Sequence, residues 1–137
     1  MGAMREILFR GKRVEDGKWI YGYLSFFYID NPKKGCMYSP KEVRRFDVMS
    51  ETVGQYTGLT DKNGTKIFEG DILHVAQGDF VVRWSESICS FVAGEKEKIR
   101  PCMNSGTMKH CEVIGNIYDN PKLLETDIHT TKTTESE

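Results

Sequence analysis

Two acidic stretches have the residue types and spacing to do chemistry. One is Asp61-Lys62-Asn63-Gly64, and the other is Glu69-Gly70-Asp71. Oxygen donors around a glycine turn are the material of a calcium loop. Such a loop needs glycine at its sixth position and glutamate at its twelfth. Counted from Asp61, those positions hold Lys66 and Ile72, so the pattern fails twice. Glu69 and Asp71 have the chemistry of an acid–base pair, but that work needs a cleft and partners that pull their pKa values apart. No Ser-His-Asp pattern, phosphate-cradling glycine loop or metal-ligand cluster accompanies them. The expectation is therefore a fold role. Asp61 to Gly64 is a turn joining YTGL to TKIF, because Asn and Gly tolerate positive φ and Asp hydrogen-bonds the backbone ahead of it. Gly70-Asp71 is a tight turn into the next strand, with Glu69 on the surface.

The cysteines are Cys36, Cys89, Cys102 and Cys111, with long uneven gaps and no C-x-x-C. Cys102, His110 and Cys111 could supply part of a zinc site. Structural zinc is usually held by two close-spaced ligand pairs, and the chain has none. No metal, no cofactor and no catalytic residue is expected. His74 and His110 could cooperate with acidic residues only through the fold, so the chain reads as a non-enzyme.

The candidate binding residues are aromatic and basic. The run from Tyr21 to Tyr28 contains Tyr21, Tyr23, Phe26, Phe27 and Tyr28. In a strand, Tyr21 and Tyr23 share one face, and Gly22 and Leu24 share the other. Exposed, these rings would make a patch suited to a partner. In a chain this small, at least half of them are expected in the core. Lys33, Lys34, Lys41, Arg44 and Arg45 follow and could line a basic surface beside rings that stack on bases. The residues singled out for binding are Tyr21, Tyr23, Phe27, Lys33, Lys34, Arg44 and Arg45.

The elements that position these groups are short strands. With 137 residues, the chain forms one domain or two small subdomains sharing a core. Residues 5–13 and 18–28 read as a hairpin around Asp16-Gly17. Gly22 inside the second strand signals a bulge or a close backbone contact. Residues 31–35 are a turn. SPKEVRRF offers a small helix start, with Ser39 as N-cap, Pro40 at its first position and Glu42 as capping partner. Val53 and Tyr56 are core candidates. TKIFEGDILHV, DFVVRWSES, ICSFVAG and a strand through Ile117 predict a small β-barrel or sandwich. A turn follows at Asn120-Pro121. Residues 96–110 read as an extended loop or irregular insertion, and the polar residues 125–137 as a disordered tail.

Charge is uneven. Residues 1–50 hold ten Lys/Arg and six Asp/Glu, or +4, and residues 51–137 hold nine and fourteen, or −5, together the net −1. That total exerts no global pull on nucleic acid or anionic membrane. No apolar run reaches the roughly 20 residues of a membrane span. MGAMREILFRGKR is charged where a signal peptide is apolar, which points to the cytoplasm. Gly2-Ala3 ahead of Met4 reads as a cloning remnant at positions 1–3.

Four blocks then carry a resemblance. TVGQYTGLTDKNGTKIFEGDIL, with REILFRGKR, GKWIYGYL and VIGNIYDNPKLL, is similar to the YopX family, small proteins encoded by phages and prophages of bacteria. The likeness spans about residues 4–124, with the blocks in family order. It implies a mostly β fold and brings no catalytic residues with it. The run from IFEGDIL to VIGNIY also resembles SH3-like barrels, which places a hairpin region at about 4–50 and an SH3-like region at about 51–120. Fold alone does not fix function. The reading that follows is a phage accessory protein that contacts a host or phage protein or assembles with itself. Nucleic-acid binding through the basic first part is the alternative, and an enzyme of unrecognised type is a further one. No membrane partner is expected.

Overall fold

A computed structural model of the chain describes residues 5–76, 78–94 and 109–124. Gly2-Ala3, Cys102, most of the 96–110 insertion and the 125–137 tail lie outside the described residues. The chain is mainly β, with 55% strand and 7% helix among the described residues, as the strand patterning predicts. It divides into two compact units, Met1–Leu59 and Thr60–Glu137.

The first unit contains β1 (Phe9–Lys12), β2 (Trp19–Phe27), β3 (Lys34–Ser39), β4 (Arg44–Met49) and β5 (Gly54–Thr60), which ends at the boundary. Its antiparallel order is β4-β3-β2-β1-β5. The expected first hairpin is present. Gly17 takes φ 72 in its turn, and Asp16 Oδ1 accepts from the Lys18 N–H at 3.0 Å. The sheet curls until the end of β1 meets the outer edge of β4. Val14 N–H donates to the Asp47 carbonyl at 2.9 Å, and Arg13 bridges Val48. One bridge is not a continuous ladder, so this sheet does not close into a barrel among the described residues. Ile20, Met37, Phe46 and Val48 are buried on the inside of the curl, each contributing about 1.5–3 kcal/mol of transfer free energy.

Glycine makes the curl feasible. A Cβ on Gly22 would lie 2.1 Å from the Tyr38 carbonyl oxygen, and one on Gly11 would lie 2.9 Å from Met37 sulfur. The glycine signal in β2 thus marks close backbone contact at Gly22. The irregularity in register comes later, between Leu24 and Phe26.

The sequence expectation of a helix at SPKEVRRF is corrected. Residues 40–43 form the turn between β3 and β4. Ser39 Oγ does accept from the Glu42 N–H, at 3.4 Å, but the chain then reverses instead of winding on. Val43 takes φ 54, and β4 pairs with β3 along its whole length from Ser39↔Arg44 to Lys34↔Met49. Pairing both strands outweighs one helical turn. A β-branched residue in the left-handed region is strained. Val43 is exposed, so little packing is lost with it. Val43→Asn is expected to raise the free energy of unfolding by about 0.5–1 kcal/mol. Urea denaturation would measure this, and a destabilised variant would show that the valine side chain holds the turn.

The second unit contains β6 (Lys66–Phe68), β7 (Asp71–Val75), β8 (Gly78–Ser85), β9 (Ser90–Ala93) and β10 (Glu112–Asn116). β7 to β10 make an antiparallel sheet ordered β10-β7-β8-β9, open at both ends among the described residues. Ile67, Phe68, Ile72, Leu73, Val82 and Val92 form its core. The turn expected at Asn120-Pro121 is instead a turn over 117–119 followed by one helical turn over 121–124. Pro121 sits at its first position, where a missing N–H costs nothing.

Candidate functional site

The acidic stretches resolve as fold. Asp61 is buried and accepts three backbone hydrogen bonds. Oδ1 takes the N–H groups of Asn63 and Thr65, each at 2.9 Å, and Oδ2 takes that of Val113 at 2.9 Å. It ties its own turn to β10. Burial pushes the Asp61 carboxyl up, but the donors from Val113, Thr65 and Asn63, with Lys62 nearby, outweigh burial and hold it below its ordinary value. Asp71 is also buried, and its Oδ2 accepts from the Phe68 N–H at 2.8 Å across the turn. Gly70 supplies φ 91 there. Glu69 is half-buried, a correction to the expected surface position, because the turn folds back onto β8 through Gly70 N–H to the Val82 carbonyl at 2.8 Å.

Of the expected zinc candidates, Cys111 is buried and His110 is exposed. Burial pushes the Cys111 thiol up, and Asp61 adds to this. The group stays a thiol at neutral pH, which suits packing better than ligation or nucleophilic attack. His74 Nδ1 lies 2.7 Å from Asp79 Oδ1. Across the sheet, His74 also faces Glu112 on β10. This His–carboxylate row lies on an exposed strand face.

The surface that gathers recognition chemistry is on the first unit. Directly paired residues share a sheet face. Register places Tyr23 opposite Tyr38, and Tyr38 opposite Arg45, in one row across β2, β3 and β4. Tyr21 lies two residues along on the same face. Beyond the irregularity in β2, Phe26 faces Cys36. Tyr28 meets Phe26 edge-on, at 5.2 Å between ring centres. Tyr28 Oη donates to Asp47 Oδ1 at 2.7 Å, and Lys34 Nζ lies 3.3 Å from Asp47 Oδ2. The Asp47 hydrogen bond raises the Tyr28 pKa, with a small push from burial.

The expected core placement of half the aromatic run is corrected. Tyr21, Tyr23, Phe26 and Phe27 are all exposed, at 47%, 51%, 44% and 47%, and Tyr28 is half-buried. Strand alternation sends Tyr21, Tyr23 and Phe26 outward, while the Phe46 ring fills the inside of the curl. The structure separates the residues singled out from sequence. Tyr21, Tyr23, Lys34 and Arg45 share the outer face. Phe27 lies on the other face against Gly35, where the Arg44 guanidinium also covers the Phe46 ring at 4.2 Å. Lys33 sits in the β2–β3 turn, its N–H on Asn31 Oδ1 at 3.3 Å. Sequence reasoning missed Tyr38. The alternation Lys34-Gly35-Cys36-Met37-Tyr38 was its signal. In the second unit the exposed Trp84 packs edge-on against the half-buried Phe91, at 5.0 Å between ring centres.

A family model described as YopX protein matches residues 8–125. The chain belongs to the YopX family. The match takes in GKWIYGYL, the Thr52–Leu73 block and VIGNIYDNPKLL whole, and REILFRGKR from Leu8 on. No curated protein matches the chain. Among solved structures, the crystal structure of protein EF1440 from Enterococcus faecalis is similar to it. The TM-score is 0.56 and the identity 22%, over 88% of this chain and 99% of that one. At that identity the likeness speaks for the fold. No helix among the described residues is long and apolar enough to cross a membrane.

Proposed function

We propose that this YopX-family chain is a non-enzymatic binding module, phage- or prophage-encoded and acting in the bacterial cytoplasm. Its contact surface is the outer face of the first sheet. The observation that carries this reading is the exposure of Tyr21 and Tyr23 in register with Tyr38 and Arg45. Rings exposed side by side on a rigid sheet cost little entropy to order on binding, and Tyr and Arg dominate binding energy where they meet a partner. In this reading the second unit is an SH3-like platform, a β7–β8–β9 meander with β10 returning beside β7. Its conspicuous carboxylates, Asp61 and Asp71, are bound to backbone and serve the fold.

Capture of partners from host lysate tests the reading, with and without nuclease. The wild-type chain is compared with a Tyr21→Ala/Tyr23→Ala variant of unchanged circular dichroism and melting temperature. Loss of a partner shared by repeated captures is the expected result. A folded double variant that keeps every partner would remove this face from consideration.

A further inference from the structure

We propose that the outer face of the first sheet binds single-stranded nucleic acid, with bases stacked on Tyr21, Tyr23 and Tyr38 and phosphates held by Arg45. This inference rests on the binding-module reading and names its partner.

Ring spacing is the first argument. Tyr21 and Tyr23 are two residues apart on one strand, which separates them by about 6.7 Å. Stacked bases in a duplex rise about 3.4 Å. Two neighbouring tyrosines therefore match bases that are pulled apart, one to a ring. A single strand adopts that spacing readily, whereas a duplex must unstack its base pairs to do so. Aromatic side chains on an open sheet face are a recurrent way to stack two or three unpaired bases.

The chemistry of the row is the second argument. Tyr23, Tyr38 and Arg45 lie directly opposite one another across three strands, so a guanidinium flanks the rings where a phosphate would run. Lys34 lies on the same face, and Lys33 in the turn beside it. Asp47, the acidic residue this register places on the same face of β4, has its carboxylate taken up by Tyr28 and Lys34. Ile20, Met37 and Val48 are buried on the other side, and Met49, opposite Lys34, is half-buried on this one. The excess of positive charge in residues 1–50 against the −5 of the remainder localises attraction for phosphate to this unit.

The test is fluorescence anisotropy of the purified full chain with labelled oligo-dT and oligo-U of about 20 nucleotides, longer than the roughly 4–16 that such surfaces cover, and with a duplex of the same length. Single strands are expected to bind more tightly than the duplex. Tyr23→Ala should weaken binding about tenfold or more, whereas Tyr23→Phe should keep most of it, because stacking needs the ring and not the hydroxyl. Arg45→Gln should weaken binding and flatten the slope of log affinity against log salt by about 0.7. Three results would overturn the proposal: no binding of any single strand, duplex binding as tight as single-strand binding, or affinity unchanged in a folded Tyr23→Ala chain. If the oligonucleotides fail while the Tyr21→Ala/Tyr23→Ala variant still loses a nuclease-resistant partner from lysate, the nucleic-acid inference falls and the face is a protein-binding surface. If both fail, the binding-module reading falls with it.

Discussion

Asp61→Ala is expected to remove roughly 2 kcal/mol of stability from the second unit, because it takes the acceptor from three part-buried backbone hydrogen bonds at once. Oδ1 serves Asn63 and Thr65, and Oδ2 serves Val113, fifty-two residues away in sequence. Removing the carboxylate leaves β10 without its tie to the 61–65 turn. Asp61→Asn keeps one acceptor oxygen, enough for the local turn. Its amide NH2 would face the Val113 N–H, so the loss should be intermediate. Urea unfolding followed by Trp84 fluorescence in a Trp19→Phe background would rank the three chains. Equal stability of wild type and Asp61→Ala would show that the clasp contributes nothing.

The same residue sets an acid limit. Its folded pKa lies below the ordinary 3.8, so the folded state binds its proton less readily than the unfolded chain does. The resulting stabilisation is complete above about pH 4 and is lost as pH falls through the depressed folded value. The stability difference between wild type and Asp61→Asn should therefore be constant from neutrality down to about pH 5 and shrink below pH 4. A difference that grew on acidification would contradict the hydrogen-bond pattern.

Gly22→Ala is the second large effect. The new methyl would stand 2.1 Å from the Tyr38 carbonyl oxygen and 3.1 Å from Pro40 Cδ. A backbone carbonyl cannot rotate away as a flexible side chain can, so β2 and β3 must separate where Tyr23 pairs with Tyr38. The expected cost is about 2–4 kcal/mol, read from Trp19 fluorescence in a Trp84→Phe background. Because the same row carries the proposed contact surface, a partly folded Gly22→Ala chain should also lose binding. A variant within about 0.5 kcal/mol of wild type would mean that the curl is looser than described.

Much of this architecture is legible in the residues. Asp16-Gly17 and Asn63-Gly64 mark turns because only certain side chains accept positive φ or hydrogen-bond their own backbone. Alternation in β2 and β7 marks strands because the side-chain period of a strand is two. The family is likewise legible, since the block from Thr52 to Leu73 combines these turn signals in fixed order. These signals are local, with causes that lie within a few residues of one another.

Tertiary structure decided what no local pattern holds. Ser39-Pro40 followed by Glu42 has the composition of a helix start, yet β4 pairs with β3 and the segment is a turn. The aromatic run has the composition of a core, yet strand register gives Tyr21, Tyr23 and Phe26 the outer face and leaves Phe27 exposed on the other. Asp61 is readable from sequence as a turn residue, but its bond to Val113 depends on bringing β10 back across the chain. Tyr38 and Arg45 join Tyr23 only through strand register. In each case the deciding interaction joins residues distant in sequence, and sequence by itself determined the strands, the turns and the family but not which faces those strands present.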